Sequence, residues 1–159
     1  MNGKWLIALL PIVAGLLAIV PVIKADEVTV TASVPYYVSV VFNYNTVNFG
    51  TVPLGSTDYP APGTYDGAYN VSVTTNVNLN VYAYRTNWSP YEGYLTLKFG
   101  THSIPGELSP SYTLETTDTL IETLGMGSYT HYHGYWLTVP SGTPAGSYST
   151  TVTITYTPA

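Results

Sequence analysis

The chain reads Gly134-Tyr135-Trp136-Leu137-Thr138-Val139-Pro140, then Ser141-Gly142-Thr143-Pro144-Ala145-Gly146, then Ser147-Tyr148-Ser149-Thr150-Thr151-Val152-Thr153-Ile154-Thr155-Tyr156-Thr157. In the last run Tyr148, Thr150, Val152, Ile154 and Tyr156 fall on one face, and Ser147, Ser149, Thr151, Thr153 and Thr155 on the other. A strict period of two marks a half-buried strand, because successive side chains leave opposite sides of the pleat. Tyr135, Leu137 and Val139 form the matching apolar set on the preceding run. Pro140, Gly142, Pro144 and Gly146 supply the fixed φ and the free backbone that a connection needs. Two strands of one sandwich therefore pair or face each other here.

The same grammar runs back through the chain. Val38, Val40, Phe42 and Tyr44 face inward over a strand 37–44, and a short strand spans 47–52. Residues 54–67 read as a loop ending in the turn pair Asp66-Gly67. Tyr69, Val71, Val73 and Thr75 alternate with polar neighbours, as do Leu79, Val81 and Ala83, and Leu95, Leu97 and Phe99. Residues 111–126 read as two short strands with a turn at 116–118, and 129–139 and 147–156 close the domain. Eight or nine short strands at spacings of about ten residues indicate an all-β fold, a single immunoglobulin-like or jelly-roll-like β-sandwich.

The chain has 159 residues, no cysteine and a net charge of −5. That length suits one domain. Lys4, Lys24, Arg85 and Lys98 are its only strong cations, so nucleic acid is excluded as a partner: binding it requires clustered Lys and Arg. Residues 1–25 differ from the rest: Lys4, an apolar run from Trp5 to Ile23, then Lys24-Ala25. This is the pattern of a cleaved secretory signal, and the expected location is secreted and extracellular. The run is also about long enough to span a bilayer, so an uncleaved membrane anchor or a retained pilin-type helix stays open. The organisation expected is thus 1–25 signal, 26–34 N-terminal strand and 35–159 sandwich. Asn70-Val71-Ser72 and Asn87-Trp88-Ser89 are glycosylation sequons, in keeping with an outside location.

In the N-terminal strand Val28, Val30, Ala32 and Val34 share one face, and Pro35 ends the run. A terminal strand beside a Pro hinge can pack at home or reach into a neighbour. The pattern Asn48-Phe49-Gly50-Thr51-Val52 with Gly55, and the ending Trp136-Leu137-Thr138-Val139-Pro140 with Gly146-Ser147-Tyr148, resemble secreted immunoglobulin-like β-sandwich proteins. Among these the chain resembles camelysin/TasA-like filament subunits and archaeal bundling-pilus and thread subunits. That resemblance implies donor-strand complementation between copies of the chain, with the donor role falling by position on residues 27–34.

Other constellations are weaker. His131 and His133, with His102, have a spacing that can hold a metal. Strict alternation puts both on the Leu137 face, a bulge at Gly134 would turn them outward, and the reading taken is a Tyr-rich surface strand with no metal or other cofactor. No spacing selects a facing pair from Asp58, Asp66, Glu92, Glu107, Glu115, Asp118 and Glu122, as glycoside hydrolysis would require. Gly-x-Ser-x-Gly and phosphate-loop motifs are absent. Trp88 and Tyr91 are the best candidates for a sugar-stacking platform. The expectation is a non-enzymatic filament subunit. The alternatives are a monomeric or membrane-tethered surface-binding module and a pilin with a retained helix.

Overall fold

The computed structural model describes Thr29 and residues 31–159. Contacts divide the chain after Ser33, and the unit Val34–Ala159 carries the fold. Its described residues form nine strands and one short 3-10 turn: β1 (Val38–Phe42), β2 (Ser56–Pro60), β3 (Asn70–Thr75), β4 (Leu79–Arg85), β5 (Thr96–His102), η1 (Pro105–Glu107), β6 (Tyr112–Thr113), β7 (Thr119–Leu124), β8 (Gly127–Val139) and β9 (Val152–Pro158). All pairings are antiparallel. One sheet has the order β1-β3-β8-β5-β6 with β2 also on β8, and the other has the order β7-β4-β9. The fold is a β-sandwich.

β8 is the spine of the larger sheet. Its first half pairs with β3 (Val71↔His131), its last residues with β2 (Tyr59↔Leu137), and its other edge with β5 (Phe99↔Tyr135). A strand of 13 residues passes through Gly134 without a bulge, because Gly100 lies opposite in unbroken register. A Cβ at Gly134 would stand 2.3 Å from the Trp136 ring and 3.1 Å from Thr64 Cγ2, so the close approach requires glycine.

The alternating faces read from the sequence become the core. Val71, Val73, Leu79 and Val81 are buried in one cluster with Leu124. Ala83, Leu95, Leu97, Phe99, Tyr135, Leu137 and Val139 are buried in another. Ile154 packs against both. β8 and β9 belong to different sheets, so the runs at 134–139 and 147–156 face each other rather than pair.

Four element boundaries differ from expectation. The strand at 37–44 shortens to β1. The loop 54–67 contains β2, whose register shifts around Asp58, a left-handed residue (φ 50). The Asp58 N–H donates to Thr138 Oγ1 at 3.1 Å and its carboxylate pairs with Lys98 at 2.9 Å, which holds the bulge in place. The segment 47–52 forms no strand. It keeps the alternation of one from Val47 to Phe49, both half-buried, loses it before the half-buried Val52, and has no ladder partner among the described residues. Of the terminal run 147–156 only residues from Val152 onward are in β9, with an isolated bridge Ser89↔Ser149 before it. The two short strands expected in 111–126 are β6 and β7.

Candidate functional site

The N-terminal run comes first. Val28 and Val30 lie outside the described residues, as does the signal segment 1–25. Ala32 and Val34 are described and belong to no strand, and Val34 is 77% exposed. The chain is pinned just beyond: the Tyr37 N–H donates to Asn76 Oδ1 at 2.7 Å, and Asn76 Nδ2 donates to the Pro35 carbonyl at 2.8 Å.

An open groove of about 1150 Å³ lies between the two sheets. Its floor includes Leu95, Leu97, Tyr135, Leu137 and Val139, and its walls are residues 44–52 on one side and 143–154 on the other. Among the described residues no Asp, Glu, Lys, Arg or His lines it. The wall residues Val47, Phe49, Val152 and Ile154 are only half-buried. Phe42 lines the groove and packs edge-on against Tyr156, ring centroids 6.1 Å apart.

Both walls carry unused backbone. Among the described residues β9 pairs only with β4, so its outer edge is free. Ser149 exchanges both bonds with Ser89, and the Thr86 N–H donates to the Thr151 carbonyl at 2.8 Å, so these residues face β4 and the loop after it. The Arg85 N–H turns away from β9 to the Glu115 carbonyl at 2.9 Å, which makes Arg85↔Val152 a non-hydrogen-bonded pair. By the alternation of an antiparallel ladder, Val152 and Ile154 then point their N–H and C=O groups out of the sheet edge while their side chains turn into the core. Across the groove, residues 44–52 make no backbone-to-backbone hydrogen bond among the described residues. Buried backbone is normally paired, and unpaired edges invite another strand.

One wall is anchored by a buried polar triad. The Tyr44 hydroxyl meets His133 Nδ1 at 2.5 Å and the Tyr135 hydroxyl at 2.8 Å. Burial, with the neighbouring His131 second, pushes His133 down to about 3, so the ring is neutral. Burial raises the Tyr44 hydroxyl well above the usual tyrosine range, and the nearby Tyr135 adds to this. The sequence reading puts His133 on a surface strand. The structure corrects this: His133 is 1% exposed, because the strand does not bulge at Gly134 and strict alternation holds.

His131 also faces inward, 3.5 Å from Glu122 Oε1. His102 sits at the end of β5, its Nδ1 accepting the Ile104 N–H at 3.0 Å. Among the described residues no group of three or more metal-binding side chains converges. Of the carboxylates, Asp58 pairs with Lys98, Glu92 with Arg85, Glu107 with His102 and Glu122 with His131.

The Trp88–Tyr91 platform is corrected. Trp88 is buried under the loop after β4, where Glu92 accepts its backbone N–H and also clamps the buried Arg85 at 2.9 Å. Tyr91 stays exposed and gathers Tyr94 and Tyr148 at centroid distances of 6.4 and 6.3 Å, beside the groove mouth. Asn87 is exposed, whereas Asn70 is half-buried at the start of β3, its Nδ2 donating to the Gly67 carbonyl at 2.9 Å.

No protein-family model matches the chain, and no curated protein is similar to it.

Proposed function

We propose that the chain is an exported structural subunit that polymerises head-to-tail into an extracellular filament, the N-terminal strand of one copy filling the groove of the next. The observation that supports this most is the three-stranded smaller sheet, whose β9 edge, unpaired among the described residues, borders an open groove that no charged side chain among them lines. A strand added there would satisfy main-chain groups along β9. Val28, Val30 and Val34 would add roughly 1.5–3 kcal/mol each on burial. A contact of this kind does not close on itself, so it grows into a filament. The resemblance to camelysin/TasA-like and archaeal bundling-pilus and thread subunits points the same way, as does the export signal read at residues 1–25. Surface glycans at Asn87 or Asn70 would suit an extracellular location.

The test is deletion of residues 26–34 in the exported protein. Polymer should give way to folded monomer on size exclusion, and polymer that persists would reject strand donation. A second reading, a monomeric or membrane-tethered module that binds sugar, is favoured by the Tyr91–Tyr94–Tyr148 cluster. It predicts glycan binding that is lost in Tyr91→Ala while the oligomeric state stays unchanged.

A further inference from the structure

We infer that the donated strand is confined to residues 28–34 of the second copy and runs antiparallel to β9, with Val28 opposite Ile154, Val30 opposite Val152, Ala32 opposite Thr150 and Val34 opposite Tyr148. This rests on the strand-donation reading above and adds the groove, the register and the direction.

Three observations carry it. The first is charge. Among the described residues no charged side chain lines the groove, and 28–34 is an uncharged run bounded by Asp26-Glu27 and by Pro35. A carboxylate carried inside would be desolvated with no cation to meet it, which sets the N-terminal limit. Pro35 has no N–H to donate, which sets the other.

The second is count and facing. By alternation Tyr148, Thr150, Val152 and Ile154 are four positions of the wall that share a face, with Tyr148, Val152 and Ile154 packed against the core and the Thr150 hydroxyl donating to the Thr86 carbonyl, and Val28, Val30, Ala32 and Val34 are the four on the donor. Directly opposed residues in a ladder share a face, so apolar meets apolar only when even positions oppose even positions. The backbone of Val152 and Ile154 already points out of the sheet edge toward the incoming chain.

The third is shape. On this wall the groove lining stops at Ile154, and beyond it Tyr156 packs edge-on against Phe42. The other end opens past Tyr148 onto the exposed residues Ala145 and Gly146. Beyond Pro35 the donor must continue into its own folded body, so its C-terminal end leaves past the exposed Ala145 and Gly146 and Val28 lies toward the Phe42–Tyr156 end. That direction is antiparallel to β9, as in every other strand pairing among the described residues.

The chain has no cysteine, so introduced pairs report register directly. Opposed residues on the outer face would be Thr29 with Thr153 and Ser33 with Ser149, at a Cα separation of about 4.5–5.5 Å that suits a disulfide. The full-length exported protein is made as Thr29→Cys/Thr153→Cys and Ser33→Cys/Ser149→Cys, and as the swapped pairs Thr29→Cys/Ser149→Cys and Ser33→Cys/Thr153→Cys. Polymers are oxidised, resolved on non-reducing gels, and the linked peptides identified by mass spectrometry. The first two variants should give covalent ladders at least tenfold stronger than the swapped pairs. Ladders from the swapped pairs would overturn the direction. Polymers with no ladder in any variant would overturn the register, and a link within one chain would overturn the second copy as donor. A parent protein that forms no polymer would reject strand donation itself, an outcome distinct from the other three.

Discussion

His133 is the residue on which pH acts most directly. It is buried beside Tyr44, Tyr135 and His131, with Glu122 beyond His131, and its folded pKa is depressed to about 3. The unfolded chain, with an ordinary value near 6.5, takes up a proton that the folded chain refuses. Stability is therefore whole above about pH 6.5 and falls as pH drops toward 3. Depressed carboxylates such as Glu92, whose hydrogen bonds from Arg85 and the Trp88 N–H lower it, add to the acid loss, so the comparison with a variant isolates the histidine. His133→Gln should cost about 1–3 kcal/mol at pH 7 through the broken Tyr44 contact, yet lose less stability than the parent between pH 6.5 and 4. Thermal melts across that range check this, and parallel pH profiles would contradict it. Gly134→Ala is the matching steric test. Its Cβ would press on Trp136 and the Thr64 methyl, and should cost about 1–3 kcal/mol in chemical denaturation.

Among the elements, β3, β4 and β8 are legible in the sequence because alternation states which face is buried. Alternation does not state the partner. Residues 44–52 carry a strand's pattern in Val47 and Phe49 but have no ladder among the described residues, and that absence is invisible in a local window. β2 escapes for the opposite reason: its register breaks at Asp58, and the pattern breaks with it. His133 is misplaced by sequence because two imidazoles read as polar, whereas Tyr44 gives the ring a buried partner. Half of the groove, the Val152–Ile154 face, can be read directly. Its openness cannot, since it depends on how many strands complete the second sheet. Hydrogen exchange should report this element by element: amides of 44–52 and of Val152 and Ile154 exchange fast in monomer lacking residues 26–34 and slowly in polymer. Fast exchange at these amides in polymer would place the contact elsewhere.

For the whole molecule, assembly should depend on burying neutral surface. Val30→Asp would bring an unpaired charge against an uncharged groove and should abolish polymer, while Asp26→Asn should leave it intact. Sedimentation of the two variants distinguishes them, and equal pelleting would contradict the claim. The same neutrality predicts assembly that is insensitive to salt, since no ion pair is screened. The most direct measurement of the central claim is negative-stain microscopy of the native exported protein, with its first residue sequenced from the same sample. Strand donation predicts fibres whose chains begin at Asp26. A monodisperse monomer at high concentration, beginning at that same residue, would contradict it.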